Sequence, residues 1–277
     1  MCDQELSKKI IFTDIDGTLI ETVPTNYNIS LNIVDEVKKM NIPLILCSSK
    51  TRVEQIRIRK LLRLKDPYIV ENGGAIIIPN NYFSISINDK TNIEIVDEVI
   101  KLGVSAQEIR FKLNEIRDRF DLSFKGVSDL SIDEISKITG LDTNALEGIN
   151  KREYGETILE IDKREKKILS TEVEKIGFRI IHGGRFFDIT GGNDKGAAMK
   201  VLLDIYSKHL NCKFTSFAIG DSKNDESMFE VADFPMLVKN QKGEWINTNV
   251  KNITKLDGIG PEGWYRALEL ISKQHYD

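Results

Sequence analysis

The sequence predicts an α/β fold, a Rossmann-like, doubly wound parallel sheet core with an inserted α+β cap domain. Short apolar runs suited to buried strands alternate with helical patterns at both ends of the chain, beginning with Ile10–Phe12. Between about residues 80 and 191, short mixed strands alternate with charged helical stretches instead. We therefore expect residues 1–82 and 191–277 to form the core and residues 83–190 to form the cap over an edge of the sheet.

The first predicted strand ends in two carboxylates. Asp14 and Asp16 follow the apolar run, and Gly17 allows the chain to turn sharply away. Because side chains alternate along a strand, both carboxylates start on the same side of it. Ligand sites of open α/β sheets gather at this carboxyl edge, where two carboxylates require a cation or a shared proton. A hard divalent cation such as Mg²⁺ is the natural partner for oxygen ligands.

Polar residues also follow the next two predicted strands. The strand over Ile42–Cys47 ends at Ser48, immediately before a predicted helix, and backbone amides and a hydroxyl at such a junction can cradle a phosphate. The third strand ends at Glu71 and Asn72, where a glycine pair indicates a tight turn. These two side chains are well placed at the strand end to hold sugar hydroxyls.

Two arginines stand out in the predicted insertion. Arg152 lies in a charged segment next to a predicted strand, and Arg185 follows two glycines that permit close approach to a ligand. A guanidinium can bind a carboxylate or phosphate through two parallel hydrogen bonds. The apolar spacing around them predicts helices over 93–102, 105–120, 131–140 and 163–176.

Charged residues reappear where the chain returns to the core. Lys195 precedes a predicted helix, a position where a cation opposes the helix dipole unless it faces an anion. The next apolar run, Phe214–Ile219, is followed by Asp221, Asn224 and Asp225. Acidic residues thus follow a second strand, far along the chain from the first pair, and the same sheet edge can bring them together.

The composition is that of an ordinary globular protein, with 40% hydrophobic residues, 30% charged residues and a net charge of −4. No apolar run reaches the roughly 20 residues that span a bilayer, and the charged N-terminal segment lacks the apolar stretch of a secretory signal. Cys2, Cys47 and Cys212 have no spacing typical of a disulfide framework or a zinc site. The basic segment 52–65 is typical of an amphipathic helix. We expect a cytoplasmic protein without a nucleic-acid or membrane partner; the oligomeric state is open.

Four motifs in this order, D-I-D-G-T, a strand-end serine, D-K-G and G-D-S-K-N-D, resemble those of the haloacid dehalogenase-like phosphohydrolases. The resemblance implies a nucleophilic Asp14 that becomes phosphorylated and an Asp16 that acts as acid and then base. It also implies that Ser48 and Lys195 bind the phosphoryl group. Mg²⁺ would be held by Asp14, the backbone carbonyl of Asp16 and Asp221.

Other segments resemble a narrower group. The insertion resembles the cap of the Cof-type sugar phosphatases, subclass IIB, and the segments S-S-K-T-R, E-N-G-G, K-R-E and G-G-R-F resemble the mannosyl-3-phosphoglycerate phosphatases. The resemblance implies that Asn224 and Asp225 brace the lysine and the metal. It further implies that the sugar and the glycerate carboxylate are bound by Glu71, Asn72, Arg152 and Arg185. The product would be mannosylglycerate, a compatible solute.

Several alternatives stay open at this point. The S-S-K-T segment departs from the T-G-R of many relatives, and the sequence does not determine the sugar. Glucosyl-3-phosphoglycerate, sucrose 6-phosphate or a broad set of sugar phosphates are other possible substrates. A phosphohexomutase would use the same Asp14 but return the phosphoryl group to the sugar. A non-catalytic sugar-phosphate sensor usually loses a motif carboxylate, and all of them are present here.

Overall fold

The computed structural model describes residues 7–21, 27–83, 97–143, 146–183 and 186–274. The strands are β1 (Lys8–Thr13), β2 (Leu44–Cys47), β3 (Tyr68–Val70), β4 (Ala75–Ile78), β5 (Glu98–Lys101), β6 (Lys125–Gly126), β7 (Gly155–Glu160), β8 (Arg179–Gly183), β9 (Phe186–Thr190), β10 (Phe214–Gly220), β11 (Phe234–Lys239) and β12 (Thr254–Ile259). The helices are α1 (Asn28–Lys39), α2 (Arg52–Leu61), α3 (Ala106–Phe120), α4 (Ile132–Thr139), α5 (Lys163–Lys175), α6 (Lys195–Leu210), α7 (Glu226–Val231) and α8 (Pro261–Lys273).

The larger of two sheets has eight strands in the order β12-β11-β10-β1-β2-β3-β4-β5. The first six of these run parallel, whereas β4 and β5 are antiparallel to their neighbours. β1 therefore lies between β2, from the N-terminal part of the chain, and β10, from the C-terminal part. The carboxyl ends of β1, β2, β3 and β10 meet at one edge, as the sequence predicts.

Helices cover both faces of this sheet because the strands at its centre are apolar on both sides. In β1, the side chain of Ile11 belongs to the buried cluster that includes α1 and α8, whereas Ile10 and Phe12 belong to the cluster that includes α6. All three side chains are fully buried. This arrangement confirms the predicted doubly wound α/β class.

The smaller sheet has four strands in the order β6-β7-β9-β8, all antiparallel. Residues of α3, α5, β7 and β9 share one buried apolar cluster that includes Leu113, Leu169 and Phe187. The chain leaves β9 and enters α6, so this unit is inserted between strands of the larger sheet. The proposed limits of the insertion, residues 83 and 190, remain a prediction.

The helix predicted over 93–102 is wrong in its described part. Glu98–Lys101 forms β5, which pairs with the apolar strand β4 at the edge of the larger sheet. Pairing with an available sheet edge outweighs a helical pattern of this length, since strand formation depends mainly on its neighbours. The pattern over 83–87, which is typical of a strand, lies almost wholly outside the described residues. β12 was not predicted from the sequence. No helix in the described ranges is long and apolar enough to cross a membrane.

Candidate active site

The polar residues that follow the central strands lie together at the carboxyl edge of the larger sheet. The backbone N–H of Asp14, just after β1, donates to the carbonyl of Ile219 in β10 at 2.9 Å. On the other side of β1, Ser48 follows β2 and is buried, and its backbone N–H donates to the carbonyl of Ile69 in β3 at 3.2 Å. Parallel pairing thus places the ends of four strands around one site.

Three carboxylates converge at this edge. Asp14, Asp221 and Asp225 are buried, and each offers an oxygen within 4.8 Å of the others. The ammonium of Lys195, the first residue of α6, lies 2.8 Å from Oδ1 of Asp14 and 2.6 Å from Oδ1 of Asp225. We call these four residues the acidic cluster.

The charges of the acidic cluster are unbalanced, with one ammonium among three carboxylates. Burial disfavours the charge of Lys195, but Asp14 and Asp225 outweigh this effect and raise its pKa. Burial raises the pKa of Asp221, and the nearby carboxylates of Asp225 and Asp14 raise it further. A buried group of oxygen donors with excess negative charge suits a hard divalent cation.

The carboxylate of Asp225 is already occupied by hydrogen bonds. Its Oδ1 bonds Lys195, and its Oδ2 accepts from the backbone N–H groups of Asp221 and Ser222 at 3.1 and 3.0 Å. A Cβ at Gly220 would lie 2.5 Å from this carboxylate, so the bend at the end of β10 requires glycine. Asp225 therefore braces both the lysine and the loop of residues 220–225, which we call the acidic loop.

Two further contacts hold the aspartates. The hydroxyl of Thr18 donates to Oδ1 of Asp221 at 2.9 Å. The indole N–H of Trp264 in α8 donates to the Thr13 hydroxyl at 2.8 Å, and that hydroxyl donates to the carbonyl of Asp14, also at 2.8 Å. The sequence predicts Trp264 on the inward face of a C-terminal helix but not its contact with the end of β1, from which it is distant along the chain.

Asp16 faces a basic partner that was not predicted from the sequence. Its Oδ2 lies 2.8 Å from the ammonium of Lys50, and both side chains keep some exposure, 32% for Asp16 and 21% for Lys50. Burial on the remaining sides raises the pKa of Asp16, and the charge of Lys50 opposes that rise. The S-S-K-T segment places Lys50 just after β2, at the same sheet edge as Asp16. The contact between their side chains depends on how β1 and β2 pair.

Three of the four residues predicted to bind substrate lie where the two sheets meet. The carboxylate of Glu71 accepts from the backbone N–H groups of Glu153 and Tyr154 at 2.8 and 2.9 Å. Burial raises the pKa of Glu71 to about 7, although the charge of Arg152 opposes this shift. The fourth, Arg185, lies outside the described residues.

Arg152 and Asn72 both reach Asp188 of β9. A guanidinium nitrogen of Arg152 lies 3.5 Å from Oδ1 of Asp188, and another donates to the carbonyl of Ser49 at 3.2 Å. The amide of Asn72 donates to Oδ2 of Asp188 at 3.0 Å and accepts from the amide of Asn224 at 3.3 Å. We call Glu71, Arg152 and Asp188 the junction cluster.

The chain is similar in sequence to one family of hydrolases and to two phosphatases within it. A sequence model of the haloacid dehalogenase-like hydrolases matches residues 11–257. The glucosyl-3-phosphoglycerate/mannosyl-3-phosphoglycerate phosphatase of Methanococcoides burtonii is 38% identical over 274 residues, 97% of this chain and 99% of that protein. The mannosyl-3-phosphoglycerate phosphatase of Pyrococcus furiosus is 37% identical over 251 residues, 91% of this chain and 98% of that protein.

Solved structures show the same fold at low identity. The crystal structure of Thermoplasma acidophilum 0175 has a TM-score of 0.69 at 19% identity, and the match covers 96% of this chain and 99% of that one. The sucrose-phosphatase of Synechocystis, solved with sucrose and phosphate, has a TM-score of 0.60 at 14% identity, with coverage of 96% and 99%. At these identities the likeness concerns the fold alone.

Proposed function

This chain belongs to the haloacid dehalogenase-like hydrolase family, and on that premise we propose that it hydrolyses mannosyl-3-phosphoglycerate to mannosylglycerate and phosphate. The observation that carries the proposal is the acidic cluster, with a buried lysine held between Asp14 and Asp225 at the end of β1. The names of relatives 37–38% identical over most of the chain support the substrate class. We place the reaction in the cytoplasm.

Asp14 is the proposed nucleophile. Because Lys195 fixes its carboxylate through Oδ1, we assign the attack on phosphorus to Oδ2. The bond to the leaving oxygen breaks as an aspartyl-phosphate forms, and water then attacks that phosphorus to regenerate Asp14, so that one difficult step becomes two easier ones. Lys195 and Ser48 are proposed to stabilise the charge on the phosphoryl oxygens in both steps.

Asp16 is the proposed acid and base. It gives a proton to the departing alcohol oxygen in the first step and takes one from the attacking water in the second. Its partial exposure is consistent with contact to substrate and water, in contrast to the buried Asp14. The ion pair with Lys50 keeps its carboxylate oriented between the two steps.

The acidic cluster fits a divalent cation, which we propose is Mg²⁺. Asp14, Asp221 and the backbone carbonyl of Asp16 would hold it, and it would offset the negative charge of the aspartates and the phosphoryl group. Asp225 is a weaker candidate ligand, because both of its oxygens already accept hydrogen bonds. Its proposed role, shared with Asn224, is to brace the site.

Glu71, Asn72, Arg152 and Arg185 are the proposed contacts to the sugar and the glycerate. Among the described ones, Arg152 is best placed to take a substrate oxygen, because its buried Nε has no partner in the described part of the chain. Glucosyl-3-phosphoglycerate is the second candidate substrate, which the name of the Methanococcoides relative favours.

The proposal is tested by phosphate release with Mg²⁺ on mannosyl-3-phosphoglycerate, its glucosyl analogue, sucrose 6-phosphate, mannose 6-phosphate and p-nitrophenyl phosphate. We expect kcat/KM for the mannosyl compound to exceed the others by about tenfold or more. The Asp14→Asn variant should lose activity on every substrate by about 10⁴-fold or more, as loss of a nucleophile requires. Equal, low rates on all substrates would contradict the assigned specificity, and an isomerised product without phosphate would indicate a mutase.

A further inference from the structure

Residues 71–73, which join β3 to β4, adopt an unusual backbone. Three successive residues have positive φ, 48° at Glu71, 54° at Asn72 and 88° at Gly73. A Cβ at Gly73 would lie 2.1 Å from the carbonyl oxygen of Asp194, so this turn is pressed against the segment that leads into α6. Such a conformation persists only where surrounding contacts determine it, and it concentrates at functional sites.

The 71–73 turn contacts both parts of the molecule. Towards the smaller sheet, the carboxylate of Glu71 accepts from two backbone amides, at residues 153 and 154, and the amide of Asn72 donates to Asp188 at 3.0 Å. Towards the larger sheet, the same amide of Asn72 accepts from Asn224 of the acidic loop at 3.3 Å. A single side chain thus joins β9 to the acidic loop.

The contact continues into the acidic cluster. The amide oxygen of Asn224 accepts from the Ser222 hydroxyl, and the backbone N–H of Ser222 donates to Asp225 at 3.0 Å. Asp225 bonds Lys195 at 2.6 Å, and Lys195 bonds Asp14 at 2.8 Å. An unbroken series of hydrogen bonds therefore runs from Asn72 to the proposed nucleophile.

A second contact reaches the cluster from the other side. The side chain of Asn193 donates to the carbonyls of Glu71 and Asn72 at 3.3 and 3.2 Å. The next residue, Asp194, is the N-cap of α6 and accepts from the backbone N–H of Ala197 at 2.8 Å. The turn therefore contacts the segment that positions Lys195 as well as the acidic loop.

We propose that Asn72 is a positioning residue that couples the smaller sheet to the acidic cluster. Its amide holds the acidic loop at a fixed place relative to Asp188, so the geometry of Asp221 and Asp225 depends on where the smaller sheet lies. This inference rests on the proposed function and gives Asn72 a role beyond the substrate contact proposed above, because a positioning role affects every substrate alike.

The test uses Asn72→Gly, which removes the amide and accepts the positive φ. We expect kcat to fall about tenfold with both mannosyl-3-phosphoglycerate and p-nitrophenyl phosphate. The dissociation constant of Mg²⁺, measured by calorimetry without substrate, should rise by a similar factor. Asn41→Gly is the matched control, because Asn41 has the same φ of 54° and lies exposed beyond α1. This control should change neither kcat nor the dissociation constant of Mg²⁺.

A double-mutant cycle with Asn224→Ala tests whether Asn72 acts through its contact with Asn224. If Asn72 acts through Asn224, the double variant should lose no more than the more impaired single variant. Multiplied losses, or a loss confined to the sugar substrate with unchanged Mg²⁺ affinity, would overturn the proposal. If Asn72→Gly fails to fold, Asn224→Ala alone must impair both substrates. If the wild-type protein releases no phosphate, the proposed function fails, and the Mg²⁺ affinities still decide the coupling.

Discussion

The acidic cluster and the junction cluster both bury carboxylates around one cation, but they compensate the charges in different ways. In the acidic cluster, Lys195 is the single cation among Asp14, Asp221 and Asp225. In the junction cluster, Arg152 faces two carboxylates, and hydrogen bonds from backbone amides, the Thr157 hydroxyl and the Asn72 amide satisfy the carboxylate oxygens.

The two clusters therefore differ in how strongly their buried like charges favour a bound cation. The carboxylate oxygens of Glu71 and Asp188 accept hydrogen bonds from neutral donors, which lower the pKa of Glu71, although burial outweighs them. The carboxylate of Asp221 has a hydroxyl donor but lies beside two other acids, and its pKa is raised by burial and by their charges. The acidic cluster, with three carboxylates around one ammonium, therefore has a larger excess of negative charge for an ion to neutralise than the junction cluster, with two carboxylates around one guanidinium.

Removal of the buried cation from either cluster should have the largest effect on stability. Lys195→Met and Arg152→Met each leave buried carboxylates without their partner, which should lower the free energy of unfolding by about 3–5 kcal/mol. In Lys195→Met, Mg²⁺ should restore much of this loss, because a bound cation stabilises the folded state by mass action. In Arg152→Met it should restore no more than it adds to the wild-type protein.

The measurement is urea unfolding of both variants and the wild-type protein in EDTA and in millimolar Mg²⁺. Lys60→Met, at an exposed position of α2, serves as the control and should match the wild type in both solutions. Equal recovery of the two cation variants in Mg²⁺ would show that the clusters do not differ in their need for a cation.

The free energy of unfolding should depend on pH because of Glu71 in the junction cluster. The pKa of Glu71 is about 7 in the folded protein, against an ordinary value of 4.5, because burial outweighs Arg152 and the two amides. Between these values the folded state binds more protons than the unfolded state, so stability falls as pH rises through this window. The full loss is about 3 kcal/mol at most, at 1.36 kcal/mol per pKa unit.

Glu71→Gln should remove this dependence. The free energy of unfolding of the wild type minus that of the variant should therefore fall as pH rises from 4.5 to 7. Arg152, Glu153 and Tyr154, three titratable residues that interact with Glu71, all remain in the variant. Glu174→Gln, at an exposed position of α5, is the control and should run parallel to the wild type. A constant difference for Glu71→Gln would contradict the raised pKa.

The two clusters also differ in how far the sequence predicts them. Asp14, Ser48 and Asp221 each follow a short apolar run, and parallel strands bring such positions to one edge whatever the length of chain between them. Local patterns and one rule of topology were therefore enough to place these residues together. The class of fold followed from the same patterns.

In the junction cluster only Glu71 shows this pattern, whereas Arg152 and Asp188 do not follow the end of an apolar run. Glu71, Arg152 and Asp188 come from three elements, and their approach depends on the contact between the two sheets. The positive φ of Glu71 is not visible in sequence, since it is imposed by the surrounding contacts. The helix predicted over 93–102 was wrong at Glu98–Lys101 for a similar reason. Those residues pair with β4 at the edge of the sheet, and this contact is not visible in the local sequence.

The ion pair of Lys50 and Asp16 should have the smallest effect on stability, because water reaches both side chains. Its side chains are 21% and 32% exposed, whereas Lys195 and Asp225 are fully buried. Partly solvated ion pairs contribute about 0–1 kcal/mol to stability and weaken with salt. A double-mutant cycle of Lys50→Met and Asp16→Asn, measured by urea unfolding, should therefore give a coupling energy below about 1 kcal/mol that decreases in molar salt. A coupling of several kcal/mol, insensitive to salt, would mean that Asp16 is as enclosed as Asp225 and that the site has no solvated carboxylate to exchange protons with water.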